Sequence, residues 1–264
     1  MSAFATSQPV TGPVTLTSEE LSACSEVAKK LRQQGLELNQ LCPRCIAITT
    51  INKKLRVDDA VDQYKLFMKA IAEFNINSFD DIYAGFVDFD TVIAPRLNSY
   101  NVCGLDSQQR QIFWINGKNP VQVSQEAAAV RAGWFWFCAI HSDNVSLRQG
   151  VTFVIDVSSN NSKVGNEKKM QKTYQSYPLR PQRILIMGAS YLKRLFINGV
   201  VSFASLFSKN KVLERIRFAT VEDVVKECGR ENVPEYICKG VGKDGDPAAW
   251  VKMRFDNFPE PKLW

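Results

Sequence analysis

The rhythm of apolar residues changes part-way along this chain. Up to about residue 80 they recur at helical spacing, whereas beyond residue 110 many of them bunch into short continuous runs of the kind that buried strands show. Thr17, followed three residues later by Glu20, forms a capping box, and Leu21, Cys24, Val27, Ala28 and Leu31 then repeat every three or four positions up to a stop at Gly35. The pattern predicts a second helix from about Asn39 to Lys54. A third runs from Val57 to Phe74 and carries Ala60, Tyr64, Leu66, Phe67, Ala70 and Ile71. Between Asn75 and Ser107 no period is sustained, although Phe79, Tyr83, Phe86 and Phe89 stand there.

The second rhythm opens with Gln111-Ile112-Phe113-Trp114-Ile115, a predicted strand that turns at Asn116-Gly117 and resumes around Val121. Gln125 to Ile140 reads as a helix with Ala127, Val130, Trp134, Phe137 and Cys138 on one side, and Gly150 to Val157 as the clearest buried strand. A polar-faced helix follows from Val164 to Ser176, and Tyr177-Pro178 ends it, because proline removes a donor and drives the preceding residue out of the α region. Arg183 to Met187 is a strand buried on both faces. From Ser190 to Phe207 the apolar positions extend too far for one strand and fit a helix with an unusually broad apolar face. Ile216 to Ala219 is a last strand, and Thr220 caps a last helix. Strand, helix and strand at this spacing form parallel crossover units. The expected fold is α/β: a helical N-terminal part, then a mostly parallel β-sheet flanked by helices, with a mobile lid helix over an apolar cavity. The expected organisation is a flexible tail at 1–15, the helical part at 16–80, the lidded domain at 81–240 and a C-terminal tail at 241–264.

Composition narrows the setting. With 264 residues, 45% of them hydrophobic, the chain can bury a sizeable core. A net charge of +6 is too small to predict a nucleic-acid binder, yet it permits attraction to an anionic membrane surface. No apolar run reaches the roughly 18 to 20 residues a bilayer span needs, since Lys193, Arg194 and Asn198 interrupt the longest. The first residues lack the basic-then-apolar pattern of a secretory signal, and seven scattered cysteines, an odd number, suit a reducing compartment. A soluble cytoplasmic protein is the expectation, with the sequons at Asn144 and Asn160 silent.

Few residues suggest catalysis. Cys42-Pro-Arg-Cys45 has thiol-disulfide spacing, but it lies in a predicted helical stretch with no strand before it. The single histidine, His141, has no evident nucleophile beside it, and a helix-end or surface role is expected. Gly240 to Gly245 lacks the Gly-Lys-Ser/Thr ending of a phosphate loop. Neither an enzyme, nor a metal site, nor a cofactor beyond a bound hydrophobic ligand is expected. The apolar residues of the tail, among them Trp250, Val251, Phe255 and Phe258, are expected to pack back on the body.

Several motifs now stand in order: Lys54 to Ala60; Gly117-Lys118-Asn119-Pro120-Val121; the glycine strand from Gly150 ending in Asp156; Tyr177-Pro178; Glu214-Arg215-Ile216; and Val233-Pro234-Glu235-Tyr236 with Gly240. Over roughly residues 40 to 240 this order resembles the CRAL-TRIO lipid-binding domain, the fold of phosphatidylinositol transfer proteins and of the retinaldehyde and alpha-tocopherol carriers. The resemblance implies a lipid carrier that opens at membranes. Trp134, Phe137, Phe153, Ile155, Ile186, Leu192, Phe196, Val200 and Phe203 are the candidate lining residues, with ordinary core packing the alternative for each. It also implies a basic surface beside the lid, here Arg180, Arg183, Lys209, Lys211 and Arg215, with Lys53 added, that meets membrane phosphates. Where inositol-lipid binders of the family carry a glutamate after Tyr-Pro this chain has Leu179, which cannot accept a hydrogen bond. Other lipids, such as a sterol, isoprenoid, carotenoid, fatty acid or phosphatidylcholine, fit equally well.

Overall fold

The computed structural model describes residues 13–87, 100–116, 126–158, 173, 175–189, 213–242 and 245–264. Helix α1, Ser18–Gln33, begins on the expected capping box: the Glu20 amide donates to Thr17 Oγ1 (3.2 Å) and the Thr17 amide to Glu20 Oε2 (2.8 Å). The helix expected from Asn39 to Lys54 is broken. A 3-10 turn at Leu38–Gln40 is followed by extended Leu41 and Cys42, and α2 runs only over Pro43–Asn52. Pro43 is the reason, since it pushes Cys42 out of the α region and is itself suited to the first helical position. Helix α3 spans Val57–Ala72 and α4 spans Phe79–Val87. The latter lies where the sequence showed no period, and Ser78 and Asp81 start it by exchanging bonds: Asp81 N–H to Ser78 Oγ (3.2 Å) and Ser78 N–H to Asp81 Oδ2 (3.0 Å).

Among the described residues five strands follow: β1 Tyr100–Asn101, β2 Ile112–Asn116, β3 Val151–Asp156, β4 Pro181–Met187 and β5 Ile216–Ala219. They form one sheet in chain order, with β1 antiparallel to β2 and the other four parallel. Helices α5, Glu126–Ile140, and α6, Asn144–Gln149, connect β2 to β3. Gly150, between α6 and β3, has φ 86°, and a Cβ there would sit 2.2 Å from the Arg180 carbonyl oxygen, so the close approach of β3 to the start of β4 requires glycine.

Helix α5 is buried on nearly all sides. Its Trp136 meets Phe113 of the sheet (6.1 Å between ring centroids) and Trp250 of α8, Pro247–Asp256 (5.0 Å). Thus the C-terminal segment packs on the body, with Val251, Phe255 and Phe258 buried. Its helix was not expected, although Asp246-Pro247 is a cap followed by a first-position proline. At the other end Val14 donates to the Asn257 carbonyl (2.9 Å) and Arg148 to that of Thr15 (2.7 Å), which fixes the last residues of the stretch expected to be mobile. Tyr177 of the Tyr-Pro turn joins the helical part to the sheet layer. Its ring lies between Phe67 of α3 (5.2 Å) and Phe137 of α5 (6.0 Å), and its hydroxyl donates to the Val130 carbonyl (2.5 Å).

On the opposite face of the sheet, α7, Val221–Cys228, buries Val224 and Cys228 against Trp114, Val154, Leu185, Met187 and Ala219. The continuation near Val121, most of the helix predicted from Val164 to Ser176, and the lid predicted from Ser190 to Phe207 lie outside the described residues.

Candidate functional site

Parallel pairing places every second residue of β2 to β5 on one face, and the register turns these residues into two apolar rows. Phe113, Phe153, Ile184 and Ile216 form the first; Ile115, Ile155, Ile186 and Phe218 form the second, nearer the C-terminal ends of the strands. The first row is buried apart from half-buried Ile216, whereas in the second only Ile186, at 4% exposure, is buried and Ile115, Ile155 and Phe218 are half-buried. Val157 and Ala189, just beyond β3 and β4, are half-buried too. Open α/β sheets bind ligands outside the carboxyl ends of their strands where the strand order reverses; this sheet runs in chain order without such a reversal, so its C-terminal edge is a candidate on its apolar surface alone. Among the described residues, the second row, the part of this apolar floor at that edge, carries no polar side chain.

The opposite face is fastened by hydrogen bonds. The Tyr236 hydroxyl donates to Asp156 Oδ2 (2.8 Å) and accepts from Trp114 Nε1 (2.8 Å), while the Ser158 amide and hydroxyl donate to Asp156 Oδ1 (2.9 and 2.6 Å). Burial, and then the Asp156 carboxylate, pushes the Tyr236 hydroxyl pKa up, so the phenol keeps its proton and remains a donor. The segment at Val233-Pro234-Glu235-Tyr236 is therefore latched to the strand that leads into residues 159–172. At the other end of β3, Thr152 donates to Asp106 Oδ2 (2.6 Å), which pairs with Arg110 (2.6 Å) in a site almost closed to water. Burial raises the Asp106 carboxyl, but the bonds from Arg110, Thr152 and the backbone outweigh it and leave the pKa below the ordinary value.

The expected lining residues separate. Phe153, Ile155 and Ile186 stand on the floor, with Phe153 against Phe113 at 4.8 Å. Phe137 is buried beside Tyr177 and His141. Trp134 is not on the floor: it is fully buried among Phe79 (5.5 Å), Tyr83 (5.6 Å) and Phe255 (5.9 Å), between α4, α5 and α8. Leu192, Phe196, Val200 and Phe203 lie outside the described residues. The sequence reading passed over Ile115 and Phe218, which share the second row. Their signal was period-two alternation with Phe113 and Ile216.

Of the cations, Arg180 and Arg215 come together where β4 starts. Arg180 Nη1 donates to the Arg148 carbonyl (2.5 Å) and Arg215 Nη1 to the Pro181 carbonyl (2.7 Å); burial, and then the neighbouring Arg215, lowers the Arg180 pKa. Arg183 points to the other face and pairs with Glu227 of α7. Lys53 is half-buried, and burial lowers its pKa. Lys209 and Lys211 lie outside the described residues.

His141 is fully buried at the end of α5, which corrects the surface alternative. Its Nδ1 lies 2.9 Å from the Phe137 carbonyl and burial lowers its pKa to about 4, so the ring is neutral at physiological pH. Among the described residues no three His, Cys, Asp or Glu side chains are placed to hold a metal, and no helix is long and apolar enough to cross a membrane. No protein-family model matches the chain, and no curated protein matches it.

Proposed function

We propose that this protein binds a hydrophobic ligand against the second apolar row and exchanges it at membranes. The single observation that carries the reading is the row itself: Ile115, Ile155, Ile186 and Phe218 form a continuous apolar floor at the C-terminal edge of a parallel sheet. Burying hydrocarbon there is worth about 0.8 kcal/mol per methylene, so an acyl or isoprenoid chain would prefer the floor to water. In this reading the segment from Ser190 to Phe207 is the cover. It closes over the cargo in water and lays its apolar side on a bilayer when it opens. Arg180 and Arg215, at the N-terminal edge of the sheet and so at the other end from the floor, meet lipid phosphates, with Lys209 and Lys211 the further candidates, at about 1 kcal/mol for each cation near an anionic surface. The CRAL-TRIO resemblance supports the same assignment, and Leu179 argues against inositol lipid as the cargo.

Organic extraction of the purified protein, with native mass spectra recorded before and after, tests the reading. A lipid released in stoichiometric amount, with a matching fall in mass, is the expected result. A clean apo mass that no lipid mixture shifts would favour a second reading, in which the fold is an interaction or regulatory module. The adjacent Arg180 and Arg215 would favour that reading if the floor held no cargo.

A further inference from the structure

The break at Pro43 has a chemical consequence. Because α2 starts there, Cys42 is its cap rather than an interior residue, and Cys42 Sγ accepts the Cys45 amide at 3.4 Å. Both thiols thus lie on the first turn of one helix, where unpaired amides carry partial positive charge. An open groove of about 360 Å³ runs past this point, lined by Leu41, Cys42, Pro43, Tyr83, Glu260 and Trp264 among others. Cys42 Sγ is 3.5 Å from the Tyr83 hydroxyl, which donates to Glu260 Oε1 (3.0 Å). Arg44, between the two cysteines, pairs with Glu260 (3.3 Å) and donates to the Phe258 carbonyl, so the C-terminal segment lies across the dithiol.

We propose that Cys42 and Cys45 form an oxidisable pair that a peroxide reaching the groove converts to an intrachain disulfide. The Cys42 thiolate attacks one peroxide oxygen, the O–O bond breaks, and the departing hydroxide takes a proton to leave as water. Cys42 then carries a sulfenic acid. The Cys45 thiolate attacks that sulfur, the S–O bond breaks, and a second water leaves. Two thiols are oxidised and one peroxide is reduced to two waters. Both thiols are buried, at 1% and 0% exposure, and Cys42 reacts first because it alone of the two lines the groove. Burial pushes the Cys42 thiol up to about 11 and the Cys45 thiol well above its ordinary value, so both steps are slow at neutral pH.

The full-length protein is treated with hydrogen peroxide, its remaining thiols are alkylated, and it is digested with trypsin. Cleavage after Arg44 should leave two peptides joined by the Cys42–Cys45 bond while the other five of the seven cysteines are alkylated. The initial rate should rise about tenfold per pH unit below the thiol pKa. C45S should stop at a sulfenic acid on Cys42, trapped by dimedone. Alkylation of all seven, a Cys42–Cys138 bond, or prior oxidation of any cysteine outside the pair would overturn the proposal. The wild-type digest decides the matter even where a serine variant folds poorly.

Discussion

On one face of the sheet Phe113, Phe153, Ile184 and Ile216, and beside them Ile115, Ile155, Ile186 and Phe218, offer hydrocarbon alone. On the other, Thr152, Asp156 and Arg183 stand among the apolar side chains and each reaches a named partner: Asp106, Tyr236 and Glu227. Hydrogen bonds are directional and costly to leave unmade, so the second face accepts one cover in one position. Hydrophobic contact is roughly proportional to area and has no direction, so the first face does not by itself fix one position for what covers its half-buried outer row. One sheet thereby has a side held by directional bonds and a side held by hydrocarbon contact alone, and the outer row of the latter is the place proposed for cargo.

The comparison breaks most severely at Asp106. Asp106→Ala leaves Arg110, 5% exposed, without its counter-ion, and should lower unfolding free energy by about 3–5 kcal/mol in urea titrations. Ile184→Ala in the buried row should cost about 2–5 kcal/mol. The same change at half-buried Ile155 should cost less in stability yet release more ligand, a contrast that denaturation and lipid extraction read together. On the polar face, Tyr236→Phe removes a donor to a carboxylate and should cost about 1.5–3 kcal/mol without altering ligand retention. The last expected effect is a pH slope. His141 has a folded pKa of about 4, below its ordinary 6.5, so the unfolded chain takes up a proton that the native state refuses. Stability should be full above about pH 6.5 and fall by at most about 3 kcal/mol as pH drops towards 4, and His141→Gln should flatten that slope in urea titrations.

Strands β2 to β4 were legible because parallel strands buried on both faces spell largely continuous apolar runs, whereas β5, the edge strand among the described residues, with Arg217 exposed, was legible only from its place after the crossover. Helices α1, α3 and α5 were legible from period and caps. Helix α4 was missed because its nine residues are too few to sustain a period, although the Ser78-x-x-Asp81 cap was visible; β1 has only two residues and no pattern to read. The floor was partly legible: the runs pointed to Phe153, Ile155 and Ile186, but only pairing register shows that Ile115 and Phe218 complete their row. Trp134 looked the same in sequence as a lining residue, because a helix buried on nearly every side gives no clue to which side meets which neighbour. The closing segment at Val233 to Tyr236 was legible as a motif but its partners were not, because Tyr236, Asp156 and Trp114 are far apart in the chain and meet only through the fold.

The most direct measurement is photo-crosslinking with a diazirine-bearing fatty acid, followed by mass-spectrometric mapping of the labelled residues. Label concentrated on Ile115, Ile155, Ile186 and Phe218, and displaced by excess unlabelled lipid, is the expected result. Label on the α7 face or in the groove beside Cys42, or no displaceable label at all, would contradict a cargo site on the apolar face.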